Sequence, residues 1–109
     1  MITLPENWHE RPNLDGFVPP ADAVPRIIAA ACRLGETVFC GARHGDTIMR
    51  TQMDAAGMDM IGADQGFIDQ WGRFWDRKEA MVIAYTAGQR INYERQGGHR
   101  DELFSEGLY

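Results

Sequence analysis

The sequence predicts a small α+β domain, an antiparallel sheet of hairpins carrying two main helices. Three observations predict it. Two short apolar segments meet across a glycine within residues 26–42, and a second such pair flanks Trp71-Gly72. Two further stretches each open on an aspartate, carry apolar residues at helical spacing and close on a glycine. A chain of 109 residues has room for one domain, and a domain of this size buries roughly two thirds of the surface its unfolded chain exposes. With 44% apolar and 25% charged residues the composition is that of a folded globular protein.

All five prolines fall within residues 1–25, where a fixed φ and a missing N–H discourage regular helix or central strand. This stretch reads as an arm, with Trp8, Phe17 and Val18 as apolar handles, and the domain proper spans residues 26–109.

Residues 26–33 and 36–42 read as two strands of a hairpin turned at Leu34-Gly35. The alanine run at 29–31 also suits a helix, and periodicity does not separate the two over so short a stretch. Asp46 or Thr47 caps a helix running to about Ala56, with Met49, Met53 and Ala56 on one face and Gly57 as the stop. Residues 66–70 and 73–75 form the second strand pair. Asp76-Arg77-Lys78-Glu79 is a capping-box opening, followed by Ala80, Ile83, Ala84 and Ala87 as a buried stripe and Gly88 as the left-handed stop. Residues 90–101 are polar, contain Gly97-Gly98 and read as a mobile loop, whereas 103–109 are apolar enough to dock back.

No apolar run approaches the roughly 20 residues a bilayer requires. No basic stretch followed by an apolar one opens the chain, so the cytoplasm is the expected location. Cys32 and Cys40 can face each other across the hairpin, but without a secretory leader they read as reduced packing residues, and no CxxC spacing supports a metal site. The net charge of −5 opposes binding to duplex nucleic acid. Charge is uneven, however. Arg73, Arg77, Lys78, Arg90, Arg95 and Arg100 outnumber the acids between residues 71 and 100, a place where a small anion can be held.

Arg43-His44-Gly45 after a strand is how histidine phosphatases present a nucleophilic histidine beside a phosphate-clamping arginine. That chemistry also needs a second histidine, a second arginine and a leaving-group acid. His9 in the arm and His99 in the glycine loop are poor candidates for the second histidine, so no catalytic residue is assigned. The competing reading makes Arg43 and His44 anion donors at a strand-to-helix junction, where the first N–H groups of a helix favour negative charge. Plain local packing of both residues is the bland alternative. Arg77 and Lys78 sit in the first turn of the second helix, where a cation is unfavourable unless an anion is present, although solvent exposure accounts for them too. Phe67, Trp71, Phe74, Trp75 and Tyr85 are mainly core rings, and one of them exposed beside arginines would serve as a base-stacking platform. Asp64 and Asp69 read as solvated carboxylates, without a metal-ligand set.

The ordered series 41–44 (Gly-Ala-Arg-His), 64–68 (Asp-Gln-Gly-Phe-Ile), 72–74 (Gly-Arg-Phe), 76–80 (Asp-Arg-Lys-Glu-Ala), 87–89 (Ala-Gly-Gln) and 103–109 (Leu-Phe-Ser-Glu-Gly-Leu-Tyr) resembles the phage Thoeris anti-defence sponge family, first type. The resemblance covers residues 26–109. It implies an α+β protein that forms homodimers or larger homo-oligomers and works in the cytoplasm of the host bacterium. There it would capture a cyclic ADP-ribose isomer made by a host TIR-domain enzyme without cleaving it, and without a cofactor or membrane partner. Some relatives are thought to take cyclic oligonucleotides at separate sites. Motif by motif, the implied ligand-binding residues are Arg43, His44, Gln65, Gly66, Phe67, Arg73 and Arg77. In physical terms the arginines would clamp the pyrophosphate, Phe67 would stack on adenine, and Gln65 and His44 would bond ribose or base edges. The proline-rich arm, Gly45, Arg90 and Gly107 depart from the family pattern.

Overall fold

A computed structural model describes residues 3–108. Strand β1 (Ile27–Leu34) turns through Gly35 into β2 (Thr37–Gly41), and helix α1 (Thr47–Ala56) follows. Strands β3 (Asp64–Asp69) and β4 (Phe74–Asp76) lead directly into α2 (Arg77–Thr86), and the chain closes with the short helix α3 (Ser105–Leu108). The sheet order is β2-β1-β3-β4 with every pairing antiparallel. The predicted α+β architecture, its four strands and its two main helices are therefore present. The first turn sits one residue later than predicted, because Leu34 pairs with Thr37 and Gly35 takes the left-handed conformation at φ 60°.

The alanine run lies in a central strand, and cross-strand packing explains why. Ala30 stands opposite Phe67, which stands opposite Trp75, so a small residue on β1 makes room for two large rings on the same face. This face joins Cys32, Phe39 and the buried residues Met49 and Met53 of α1 and Ala80, Ile83 and Ala84 of α2 in one apolar cluster. Ala56, predicted to share the α1 stripe, is exposed. Pairing Cys32 with Phe39 and Ala31 with Cys40 offsets the two cysteines by one residue, and both are free thiols.

Asp69 corrects the reading of it as a solvated carboxylate: it is fully buried at the end of β3. Its Oδ1 accepts from the N–H groups of Trp71 and Arg73 at 2.9 and 3.0 Å. Its Oδ2 accepts from Arg73 Nε at 2.7 Å and Trp75 Nε1 at 3.0 Å. The turn between β3 and β4 is thus wound around one carboxylate.

Glutamine side chains bond the backbone at three other places. Gln52 of α1 accepts from Cys40 N–H and donates to Cys40 C=O, both at 2.9 Å, on the outer edge of β2. Gln89 does the same to Ile27 at 2.7 and 2.8 Å, and Gln70 holds Arg26 N–H and Val24 C=O at 2.7 and 2.9 Å. At the opposite edge Arg11 donates to the Phe74 carbonyl at 3.0 Å and pairs with Glu79 at 3.2 Å. The arm lies along the domain: Leu4 and Trp8 pack on the core, Pro19 and Pro25 are buried, and Asn13 donates to the Trp71 carbonyl at 2.8 Å. The segment predicted to be a mobile loop is a run of turns tied by buried Gln96, which donates to the carbonyls of His99 and Glu102 at 2.6 and 3.0 Å and accepts from Phe104 N–H at 3.1 Å. Leu103 is buried, as the docking tail requires, while Tyr109 lies outside the described residues.

Two outcomes follow from these contacts. Asp69→Ala strands the Arg73 guanidinium and is expected to cost about 3 kcal/mol or more of unfolding free energy in a urea titration. Gln52→Leu keeps the bulk but leaves two backbone groups of an edge strand unanswered. A loss of about 1–2 kcal/mol is expected, together with concentration-dependent association in light scattering.

Candidate functional site

Both main helices begin on an aspartate, and both starts are already filled. At α1 the Asp46 carboxylate accepts from Met49, Ala42 and Arg43 N–H at 2.9, 2.9 and 3.2 Å. These donors, Met49 first, hold its carboxyl below the usual range. Asp46 packs so closely on Gly41 that a Cβ there would collide with the carboxylate. The strand-to-helix turn is therefore not open to an outside anion, which corrects the expectation for its N–H groups. At α2, Asp76 accepts from Glu79 N–H at 2.8 Å and Glu79 accepts from Asp76 N–H at 3.1 Å, completing the capping box.

What remains is the side chain of Arg77, the first residue of α2. Its Nη2 donates to Gln65 Oε1 at 2.8 Å, a neutral partner, and its Cζ stands 4.5 Å from the centre of the Phe104 ring. Its Nε is buried and has no hydrogen-bond partner among the described residues. Burial lowers its pKa, opposed by the charges of Glu102 and Glu106. No carboxylate among the described residues lies within ion-pair distance of it.

His44 joins this cluster from the α1 side. Its Nε2–H donates to the Gly66 carbonyl at 2.7 Å, and its ring meets Phe67 edge-on at 5.1 Å. Burial lowers its pKa, with the Arg77 charge adding to that effect and the Gly66 carbonyl opposing it. The neutral imidazole is the form this surrounding favours. On β1, burial pushes the Cys32 thiol up while the Arg77 charge opposes it.

Of the residues singled out in the sequence, His44, Gln65, Gly66, Phe67 and Arg77 are thus brought together. Phe67 is fully buried and offers no free face for stacking. Gly66 serves packing, since a Cβ would run into the Trp75 carbonyl and the Phe74 ring. Arg43 is exposed on the turn before α1. Arg73 is committed elsewhere: 2% exposed, bound to Asp69 and stacked 5.1 Å from both Trp71 and Trp75. Sequence reasoning missed Phe104, Glu102 and Glu106, whose one visible signal was the apolar tail that returns to the domain.

A groove of about 930 Å³ lies elsewhere, between the arm at Arg11–Leu14, the β1–β2 turn and Phe74 of β4. Neither it nor the smaller concavity at Leu34, Met58 and Ile61 is bordered by Arg43, Phe67 or Arg77. The Arg77 cluster lies outside both concavities. No group of three or more metal-ligating side chains is placed to hold an ion, and no helix is long and apolar enough to cross a membrane, among the described residues.

Residues 26–109, from the residue before β1 through the returning tail, match the Phage T4 y16D protein family. The chain belongs to that family. In this y16D family member the matched region carries the whole sheet, both main helices and the Arg77 cluster, and the arm precedes it. No curated protein and no solved structure matches the chain.

The surroundings of His44 give this family member a pH signature. The unfolded chain takes up a proton near the ordinary imidazole value of 6.5, and the folded protein does so only at lower pH. Stability from this residue is complete above 6.5 and declines as pH falls toward the folded value. His44→Gln, which can still donate to Gly66, is expected to flatten that decline in melting temperature measured as a function of pH.

Proposed function

We propose that this phage-family protein is an anti-defence protein that binds and sequesters a cyclic ADP-ribose-type signalling nucleotide without cleaving it, with Arg77 at the centre of the site. The observation that carries this reading is a half-buried guanidinium whose partner is neutral and whose buried Nε–H is unanswered. Such a group gains a charge-assisted bond when a phosphate oxygen arrives. Gln65 and His44 stand beside it with amide and imidazole atoms suited to ribose hydroxyls. The Nε2–H of His44 is already committed to a carbonyl, which fits a hydrogen-bonding wall better than a nucleophile. A wall of this kind also fits a site completed by a second copy of the chain, in a homodimer or larger assembly. The exposed side chain of Arg43 would reach the ligand from the rim.

A protein-binding inhibitor of a host defence factor is the second reading. It is favoured by the arm, where Leu14, Phe17, Val18 and Val24 are 69%, 50%, 46% and 61% exposed.

Native mass spectrometry of protein purified from cells making TIR-derived nucleotides tests the proposal. The expected mass is that of the oligomer plus intact cyclic nucleotide, which heat denaturation releases unchanged. Arg77→Ala is expected to weaken binding about 10- to 100-fold. Release of linear ADP-ribose would overturn sequestration, and a stable complex with a host protein, with no captured small molecule, would favour the second reading.

A further inference from the structure

The backbone that carries Glu102 and Glu106 is pinned beside Arg77, and neither carboxylate forms an ion pair with it among the described residues. Leu103 N–H donates to the Arg77 carbonyl at 2.9 Å, which pins the returning segment to the first residue of α2. Leu103 and Ser105 are 0% and 1% exposed, so the backbone that carries Glu102 and Glu106 is anchored between and beside them. Gln96 fixes the Glu102 carbonyl and the Phe104 N–H, and the Phe104 ring lies against the Arg77 guanidinium. Glu102 is half-buried and Glu106 exposed.

Carboxylates placed to neutralise Arg77 would contact it. These act on it only through space, with Glu106 also acting on His44. The Arg77 charge is therefore set near two negative ones and an imidazole whose neutral form is favoured. A ligand phosphate bound to the guanidinium sits in the field of both glutamates. A phosphate esterified on both sides brings one negative charge, whereas a terminal phosphate brings nearly two. The like-charge penalty rises with each added charge, while the Arg77 guanidinium offers the same bonds to both.

We infer that Glu102 and Glu106 form a charge filter at the Arg77 site, admitting phosphates capped as diesters or pyrophosphate diesters and turning away terminal phosphates and polyphosphates. The inference rests on Arg77 being the anion-binding group proposed above. It makes the two glutamates specificity determinants and extends the site into the C-terminal segment.

Calorimetric titration at fixed salt tests it with three probes: cyclic ADP-ribose, ADP and inorganic pyrophosphate. In the Glu102→Gln/Glu106→Gln variant, ADP and pyrophosphate are expected to bind about tenfold tighter than in the wild type, with a much smaller change for cyclic ADP-ribose. The gain should shrink as salt is raised. Glu106→Gln alone, at an exposed position, provides a second variant that does not depend on the fold tolerating a change at Glu102. Glu6→Gln/Glu36→Gln removes the same charge from exposed positions outside the Arg77 cluster and is expected to leave ADP and pyrophosphate binding at the wild-type level. Unchanged ADP and pyrophosphate binding in both Glu102/Glu106 variants overturns the filter, even where cyclic ADP-ribose binds the wild type. An equal gain in the remote control overturns it as well. A gain confined to the Glu102 and Glu106 variants upholds the filter even where cyclic ADP-ribose fails to bind, and in that case it is the ligand reading that falls.

Discussion

A carboxylate shut away from water has to be answered entirely by protein donors, and the end of β3 is built to answer one. Asp69 receives two backbone N–H groups from the turn that follows it, the Arg73 guanidinium and the Trp75 indole. Arg73 is clasped in turn between two indole rings, and its Nη1 reaches the Arg11 carbonyl at 3.4 Å. One buried charge therefore sets the β3–β4 turn, seats Trp75 in the core and gives the arm a docking point. Because β4 runs straight into α2, the same charge decides where Arg77 begins its helix. Burying an ion pair is costly in itself, and this one is tolerated because every strong acceptor site of the carboxylate is occupied.

The rest of the polar framework follows the same economy. Amide side chains are suited to bracketing a backbone unit because they carry a donor and an acceptor at peptide-like spacing. Gln52, Gln70 and Gln89 each do this where sheet pairing stops, and Gln96 gathers the irregular segment before α3. With Gln52 on the edge of β2 and Arg11 on that of β4, neither edge offers a free row of backbone groups at these positions.

Against so complete a pattern of pairing, Arg77 stands out. The helix starts that seemed ready to take an anion are closed by their own aspartates, and Arg73 is closed by Asp69. The guanidinium at the start of α2 meets a neutral amide and an aromatic ring, with two glutamates held at a distance. This contrast sets apart the cluster where α2, β3 and the returning tail meet.

Local rules were enough to read much of this from the residues. The capping box at Asp76, the aspartate and glycine bounding α1 and the glycine turn between β1 and β2 depend on neighbours a few positions apart, and short-range steric and hydrogen-bonding preferences determine them. Arg77, His44 and Gln65 could be singled out in the sequence, and the fold brings them together. The alanine run in β1 was ambiguous because its conformation is decided by Phe67 and Trp75, over 35 positions away in the chain. Asp69 looked solvated because its principal partners become partners only once the turn closes and the face is buried. The roles of Phe67 and Phe104 were settled the same way, since which ring is covered depends on where the tail returns. Sequence by itself determined the elements and their ends, because those are local free energies. Which charges are answered, and that Arg77 meets a neutral amide, was decided only when distant segments packed together and excluded water.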